Sequence, residues 1–156
     1  ECRDYILYMP GRHSTARIKK TEGGLQMLVK ECMTRNPVTF SPGEDVRVAF
    51  GRLTDLKIRQ APVVENGKLA GIVTDRDLRL AVVETLSEPG LTVASVMTPD
   101  PVTVTGGASL SAAANLISKN KFNALPVISD SGELIGVLTT TDILNGLVKA
   151  LDAEKK

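Results

Sequence analysis

The chain contains two copies of one sequence pattern, and this internal repeat constrains the fold more than any other feature. The first copy covers residues 29–78 and the second residues 93–143, with one inserted residue in the second copy at the turn of residues 130–132. Identical residues at matching positions include Met33 and Met97, Thr34 and Thr98, Pro37 and Pro101, Val38 and Val102, Thr39 and Thr103, Lys57 and Lys121, Pro62 and Pro126, Gly71 and Gly136, Thr74 and Thr139, and Asp77 and Asp142. Matches this regular in one register predict two structurally equivalent units.

Each copy predicts the order strand, helix, strand, strand, helix. In the first copy a short strand near residues 38–40 precedes a helix, with Ser41 as N-cap, Pro42 as first helical residue and Glu44 closing a capping box. The glycines at 106–107 are expected to weaken the first turn of the equivalent helix in the second copy. Apolar residues at helical spacing follow, namely Val46, Ala49, Phe50 and Leu53 in the first copy and Leu110, Ala113, Ala114 and Ile117 in the second.

A hairpin and a last helix complete each copy. The predicted strands are residues 61–65 and 69–74 in the first copy and residues 126–128 and 134–138 in the second, with last helices from about Asp75 and Thr140. The Asn66-Gly67 pair suits a type I′ turn, because both central residues of that turn need a positive φ.

The repeat also predicts the domain organisation. We expect a leader at residues 1–26, a first repeat with its linker at residues 27–90 and a second repeat at residues 91–156. The linker is the Ser-Glu-Pro-Gly stretch at residues 87–90. The leader is rich in Arg, Lys and Gly, and we interpret it either as a flexible native extension or as a segment foreign to the protein. One unit of this size would expose one face of its sheet, so we expect the two units to pack as a pair.

The most informative motif lies where the hairpin of each copy runs into the last helix. It reads Gly-x-x-Thr-x-x-Asp, with Thr74 and Asp77 in the first copy and Thr139 and Asp142 in the second. Free N–H groups at a helix N-terminus attract phosphate, and the threonine hydroxyl can add a hydrogen bond. A carboxylate in the same turn can accept hydrogen bonds from the hydroxyls of a ribose. The motif therefore suits a ribose phosphate.

The same motif also has a purely local explanation. Thr-x-x-Asp ahead of an apolar helix is an N-terminal cap, in which the threonine is the N-cap and the helix dipole favours the aspartate. The two roles are compatible, because a cap can open when a ligand supplies the missing contacts. Both remain open from the residues alone.

The two copies differ in charge near this motif. Arg59 and Arg76 of the first copy are replaced by Asn123 and Thr141 in the second. Guanidinium groups form charge-assisted hydrogen bonds with phosphate oxygens, so functional arginines would favour a phosphorylated ligand. The alternative is that both arginines are solvated surface residues.

Together the motifs resemble the repeats of the CBS (cystathionine-β-synthase) family. The pattern Met-Thr-x-x-Pro-Val-Thr, the Pro-Val-Val or Pro-Val-Ile strand and Gly-x-x-Thr-x-x-Asp carry this resemblance over residues 28 to about 150. It implies an α/β (α+β) fold in which two CBS repeats pack by pseudo-twofold symmetry into a stand-alone Bateman module. It also implies a homodimer, no catalytic activity and two clefts between the repeats. The implied ligand is AMP, ADP, ATP or an S-adenosylmethionine-like molecule, bound as a regulatory ligand rather than as a required cofactor.

The resemblance also implies roles for individual residues. Asp77 and Asp142 would hold ribose hydroxyls, and Thr74 and Thr139 would contact phosphate. The remaining residues implied to bind the nucleotide are Arg76, Thr141, Asn36, Val38, Ile58, Arg59, Gln60, Ala61, Asp100, Val102, Phe122, Asn123, Ala124 and Leu125.

Composition argues against several other classes of function. A net charge of +1 favours neither nucleic acid nor membrane lipid as a partner, and 3% aromatic residues provide few stacking platforms for bases. The only histidine, His13, lies in the leader, so the repeats offer neither a His-based catalytic triad nor a metal cluster. Cys2 and Cys32 lack metal-ligand spacing and suggest a reducing cytoplasm, and Cys32 is expected at the edge of a strand or loop.

Two further hypotheses stay open beside nucleotide sensing. The chain can be a structural or dimerisation module whose clefts are empty or degenerate. The other hypothesis is nucleic-acid binding through the basic leader, which would depend on salt concentration. No effector protein can be inferred from the sequence.

Overall fold

The computed structural model describes residues 19–21 and 24–154. The interpretation of the leader, with Cys2 and His13, lies for the most part outside these residues. The helices are α1 Val29–Cys32, α2 Val46–Asp55, α3 Asp75–Glu84, α4 Val93–Val96, α5 Leu110–Asn120 and α6 Thr140–Glu154. The strands are β1 Lys19–Thr21, β2 Gly24–Gln26, β3 Thr34–Arg35, β4 Gln60–Glu65, β5 Lys68–Thr74, β6 Thr98–Pro99, β7 Val104–Thr105, β8 Ala124–Ile128 and β9 Leu134–Thr139.

These elements form two compact units, and the predicted α+β fold class is confirmed. The first unit spans Val38–Pro101, and the second combines the described residues up to Pro37 with those from Val102 onward. Each unit contains the predicted order of a first extended segment, a helix, a hairpin and a last helix.

In the first unit, α2 and α3 pack together against a sheet with the strand order β4-β5-β6. The apolar face predicted for α2 is confirmed, because Val46, Ala49 and Leu53 are fully buried. They share one core with residues of β4, β5 and α3. The hairpin turn is also as predicted: Asn66 has φ 51° and Gly67 has φ 79°, so both central residues adopt the positive φ of a type I′ turn.

The second unit has a sheet with the strand order β3-β9-β8-β7. Strand β7 is parallel to β8, whereas β3 and β8 are antiparallel to β9. Leu110, Ala113 and Ile117 of α5 are buried in a core that includes Leu125 and Leu138 of the sheet. The unit also includes a separate two-stranded antiparallel hairpin, β1–β2.

The main sheet of each unit includes a short edge strand from the other sequence copy. Strand β6 carries the Met-Thr motif of the second copy but pairs with β5, where Ile72 lies opposite Thr98. Strand β3 carries the same motif of the first copy but pairs with β9, where Thr34 lies opposite Val137. The helices α4 and α1 precede these strands and bury Val93 and Val29 in the respective cores.

The predicted start of the first long helix is wrong. Helix α2 begins at Val46, and its N-cap is Asp45, whose carboxylate accepts a hydrogen bond of 2.8 Å from the Arg47 N–H. Ser41 and Glu44 belong to a preceding turn instead. Asp45 is held in extended conformation because it forms an antiparallel bridge with Thr92, so the helix cannot start earlier.

Three smaller predictions also need correction. The strand expected at residues 38–40 is reduced to one parallel bridge between Phe40 and Val63, because Pro62 has no N–H with which to extend the ladder. The glycines at 106–107 precede α5, so they do not weaken its first turn. Cys32 is the last residue of the short helix α1, rather than lying at a strand or loop edge.

Candidate functional site

The junction between β5 and α3 is closed by a pair of reciprocal hydrogen bonds. The Thr74 hydroxyl donates to Oδ2 of Asp77 at 2.6 Å, and the Thr74 N–H donates to the same oxygen at 3.2 Å. In return, the Asp77 N–H donates to the Thr74 hydroxyl at 3.2 Å. Threonine and aspartate therefore form a capping box, which satisfies N–H groups that the first helical turn leaves without partners.

The junction between β9 and α6 repeats this geometry. The hydroxyl and the N–H of Thr139 both donate to Oδ2 of Asp142 at 2.8 Å, and the Asp142 N–H donates to the Thr139 hydroxyl at 3.2 Å. Asp142 is only 7% exposed, and it is one of two buried polar residues in the described chain. The local capping role that the motif suggested is thus present in both copies.

Each capping aspartate keeps one carboxylate oxygen free. All described hydrogen bonds that the carboxylates of Asp77 and Asp142 accept end on Oδ2, and none reaches Oδ1. Among the residues that the structure describes, no completely buried side-chain polar atom lacks a partner, so Oδ1 of each aspartate retains some contact with solvent. An anionic oxygen of this kind can accept a hydrogen bond from a ligand hydroxyl while Oδ2 maintains the cap.

Several of the predicted site residues of the first unit lie at one end of its sheet. The parallel bridge at Phe40 brings Val38 to the level of Ala61, and Val38 packs against the core there. The β4–β5 pairing sets Gln60 opposite Thr74. These residues surround the start of α3.

The second unit gathers the equivalent residues at the start of α6. The β7–β8 register brings Val102 to the level of Leu125, and Ala124 lies opposite Thr139. Val102 is 44% exposed, so it offers an apolar surface next to the junction.

Two other predicted residues do not meet the Thr–Asp pair of their own unit. The Asp100 N–H donates to the carbonyl of Ala70 at 3.4 Å, four residues before Thr74 and about 13 Å from it along the strand. Asn36 follows β3 at the level of the Gly136 end of β9, likewise away from its unit's Thr–Asp pair. Asn36 and Asp100 have φ values of 46° and 45°, an uncommon conformation that both copies share.

The segments predicted to line the pockets are partly core residues. The buried members are Ile58, Ala61, Ala124 and Leu125, each at most 9% exposed. Their side chains belong to the interior, so their backbone atoms are the groups available to a ligand. Phe122 is half-buried and packs against the core of the second unit.

Backbone carbonyls in these segments fix the start of each last helix. The Asp75 N–H donates to the carbonyl of Arg59 at 2.7 Å, and the Thr140 N–H donates to the carbonyl of Asn123 at 3.1 Å. The Thr140 hydroxyl donates to the same carbonyl at 3.3 Å. Sequence reasoning missed this anchoring role of Thr140, for which only its position next to Thr139 gave a signal.

The two junctions differ in charge. Arg59, Arg76 and Thr141 are exposed, and neither arginine forms an ion pair with any residue that the structure describes. The first turn of α3 also carries Asp75, whose Oδ2 lies 3.5 Å from a guanidinium nitrogen of Arg79. The equivalent turn of α6 has Asp142 as its only charged residue.

Other chemistry is sparse in the described chain. Residues 19–21 and 24–154 contain no cluster of three or more His, Cys, Asp and Glu side chains that could hold a metal ion. No helix within the same ranges has the length and apolar character needed to cross a bilayer.

A family model for the CBS domain matches this chain twice, over residues 29–84 and 93–149. The chain belongs to the CBS domain family. This CBS pair is 35% identical to a CBS domain-containing protein of Dictyostelium discoideum over 139 residues, which are 82% of this chain and 96% of that protein. It is also 39% identical to the inosine-5′-monophosphate dehydrogenase of Nitrosopumilus maritimus over 114 residues. That match covers 72% of this chain but only 23% of the dehydrogenase.

Solved structures similar to the CBS pair include complexes with adenosine derivatives. CBSX2 from Arabidopsis thaliana, solved in complex with AMP, has a TM-score of 0.70 at 30% identity, covering 78% of this chain and 96% of that one. A CBS domain pair solved with 5′-methylthioadenosine and S-adenosyl-L-methionine has a TM-score of 0.69 at 26% identity, covering 80% and 98%.

Proposed function

We propose that this CBS pair is a regulatory module that binds an adenine nucleotide, AMP, ADP or ATP, and does not catalyse a reaction on it. The observation that carries the proposal is the free Oδ1 of Asp77 and of Asp142, each at the N-terminus of a long helix. The hydroxyls of a ribose would donate to this oxygen, and the helix N-terminus would favour the phosphate. The AMP complex of CBSX2 supports the choice of an adenine nucleotide.

The phosphate of the ligand has a second source of recognition. Arg59 and Arg76 are exposed and without an ion pair in the described chain, so their guanidinium groups are available to an anion. We therefore expect a nucleotide to bind more tightly than the uncharged nucleoside.

Calorimetric titration tests this function. We expect saturable binding of at least one of AMP, ADP and ATP, and weaker binding of adenosine, which lacks the phosphate. 2′-Deoxy-AMP lacks one ribose hydroxyl and should bind about tenfold more weakly than AMP. Absence of both binding heat and thermal stabilisation at about 1 mM of each nucleotide would exclude the proposal.

Matched variants assign the site. Asp77→Ala and Asp75→Ala each remove one carboxylate from the first turn of α3, but only Asp77 bonds to Thr74. If Asp77 accepts the ribose hydroxyls, Asp77→Ala should abolish the preference for AMP over 2′-deoxy-AMP, whereas Asp75→Ala should retain it. Asp142→Ala makes the same test for the second unit. A preference that survives in the double variant Asp77→Ala/Asp142→Ala would contradict the assigned role.

Two alternatives have specific support. The complex of a related pair with S-adenosyl-L-methionine favours a sulfonium ligand, and tighter binding of that molecule than of any nucleotide would establish it. The closed capping boxes favour a structural module, because both Thr–Asp pairs satisfy each other without a ligand. That alternative predicts no binding of any adenosine derivative.

We further propose that the module forms a homodimer in the cytoplasm. Helix α6 exposes Leu144, Leu147, Val148 and Leu151 at the spacing typical of helix–helix packing. The reducing cytoplasm suits the free thiol of Cys32. Light scattering should give twice the mass of one chain, and Leu147→Lys should lower that mass toward one chain. The exposed Lys119→Ala on α5 is the control and should not change the mass.

A further inference from the structure

Arg52 connects helix α2 to the extended segment that precedes this helix. Its guanidinium forms an ion pair of 2.7 Å with Oε1 of Glu44 and donates a long hydrogen bond of 3.5 Å to the carbonyl of Thr39. The same group lies 4.7 Å from the centroid of the Phe40 ring, within the range of a cation–π interaction. One side chain therefore contacts three residues of the segment 39–44.

The second copy lacks this connection. In the repeat alignment the residues that form it are replaced by apolar ones, Arg52 by Leu116, Glu44 by Ala108 and Phe40 by Val104. The replacements carry neither a charge nor an aromatic ring. The ion pair and the cation–π interaction therefore cannot form at the matching positions of the second unit.

Main-chain hydrogen bonds around the segment are the same in both copies. The Val93 N–H donates to the carbonyl of Glu44 at 2.9 Å, and the Val29 N–H donates to the carbonyl of Ala108 at 2.9 Å. Backbone bonding of this kind does not distinguish the two units, whereas the side chain of Arg52 does.

The segment that Arg52 contacts is also the better packed of the two. Val38 packs against the core of its unit, whereas its match Val102 is 44% exposed. Phe40 is 2% exposed and bonds to β4 on both sides: its N–H donates to the carbonyl of Pro62 at 3.0 Å, and its carbonyl accepts from the Val64 N–H at 2.9 Å. Contacts that fix Phe40 also fix the main chain two residues earlier, at Val38.

Val38 is the part of this segment that a nucleotide would meet. The ribose and phosphate would bind at the start of α3, through Asp77 and the helix N-terminus. The purine remains, and Val38 offers it an apolar surface at the same end of the sheet. A segment that is already in place loses less conformational entropy when a ligand binds.

We propose, on the basis of the nucleotide function above, that Arg52 is a positioning residue of the first unit. It holds the segment that carries Val38 in the conformation that receives the purine, without touching the ligand itself. The first unit therefore binds the nucleotide more tightly than the second, in which the matching segment has no such support.

NMR titration of the full chain with AMP tests this role, because the backbone N–H signals of Thr74 and Thr139 report on the two units separately. We expect a lower dissociation constant at Thr74 than at Thr139. Arg52→Met should raise the constant at Thr74 about fivefold and leave the other unchanged. Arg47→Met is the matched control and should change neither, since it also removes a paired arginine from α2, but one that bonds to Asp45.

Titration with adenosine separates positioning from a direct effect of charge. An Arg52 that attracted the phosphate would make Arg52→Met weaken the binding of AMP more than that of adenosine. Positioning of Val38 acts on the purine, which both ligands share, so both should lose affinity by the same factor. A larger loss for AMP than for adenosine would overturn the proposal.

Hydrogen exchange at the Phe40 N–H tests the cause of the effect. Arg52→Met should accelerate this exchange in the chain without nucleotide, because the ring and the neighbouring carbonyl lose their contacts with the guanidinium, and AMP should slow it again. A role limited to stability would instead lower the melting temperature of Arg52→Met and leave the affinity of the folded chain unchanged. That result would contradict the proposal.

Failure of this role and failure of the nucleotide function give different results. If the unmodified chain does not bind AMP at about 1 mM, both fail. If AMP binds equally tightly in both units, or if a folded Arg52→Met chain keeps the affinity at Thr74, only the role of Arg52 fails. Should Arg52→Met not fold, Glu44→Gln takes its place, because it breaks the same ion pair and should raise the constant at Thr74 about twofold.

Discussion

The sulfur of Met97 lies directly against Gly71: a Cβ atom at Gly71 would sit 2.7 Å from Met97 Sδ and 2.8 Å from the carbonyl oxygen of Thr98. Gly136 has the same relationship with Met33, whose Sδ would be 2.7 Å from the added Cβ. The close approach of the methionine therefore explains why the matching strand position is glycine in both copies. Absence of a side chain on β5 or β9 lets the short strand from the other sequence copy lie alongside, and the methionine covers the gap.

Gly71→Ala should therefore destabilise the protein by about 1–3 kcal/mol, because the contact includes a backbone oxygen that cannot move aside as a side chain can. Urea denaturation measures the change. Gly51→Ala is the matched control, since nothing lies within 4 Å of its added Cβ in the interior of α2. That control should stabilise the chain by about 0.5–1 kcal/mol. A neutral Gly71→Ala would show that β6 does not pack on β5 in this way.

Thr139→Val should lower the free energy of unfolding by about 1–2 kcal/mol, because the buried carboxylate of Asp142 loses the hydroxyl donor of its cap. Thr139→Ser retains the hydroxyl and should stay within about 0.5 kcal/mol of the unmodified chain. Thermal or urea unfolding without nucleotide measures both effects. Equal stability of the Val and Ser variants would mean that the hydroxyl contributes nothing to the cap.

Asp45 should make the stability of the protein depend on pH. Hydrogen bonds from the Arg47 side chain and backbone N–H lower the pKa of Asp45 from 3.8 to about 2. A lowered pKa in the folded state means that this stabilisation is complete above about pH 4 and is lost as the pH falls through about 2. Asp45→Asn keeps an N-cap side chain without the titration. The difference in unfolding free energy between the two chains should shrink as urea titrations move from pH 6 toward pH 2.

A difference that instead stayed constant over this range would contradict the link between Asp45 and Arg47. Arg47→Met supplies the complementary control, because it removes the guanidinium and leaves the carboxylate in place. In that chain the pKa of Asp45 should rise toward its usual value.

Cys32 should react slowly with thiol reagents. Burial raises the pKa of its thiol, although the charge of Lys149 acts in the opposite direction. Less thiolate is then present at neutral pH, and the thiolate is the reactive form. In a Cys2→Ser chain, iodoacetamide should alkylate Cys32 more slowly at pH 7.5 than it alkylates the urea-unfolded chain. Equal rates would contradict burial of the thiol against α6.

Local patterns in the sequence predicted much of each unit correctly. The Asn66-Gly67 turn, the buried faces of α2 and α5, and the Thr–Asp junctions all depend on residues a few positions apart. Short-range sterics and hydrogen bonds decide such features, so residue type and spacing suffice to predict them. The repeat also predicted that the two Thr–Asp junctions have the same structure, because similar sequences with the same local preferences form the same elements.

Contacts between distant residues decided the rest. The start of α2 depends on the bridge from Asp45 to Thr92, and the two-residue strands β3 and β6 are too short to show a periodic pattern. That each sheet takes its edge strand from the other copy follows from the path of the chain, which no local preference encodes. The sequence by itself therefore determined the repeated elements and their capped helices, while tertiary packing decided which segments complete each sheet.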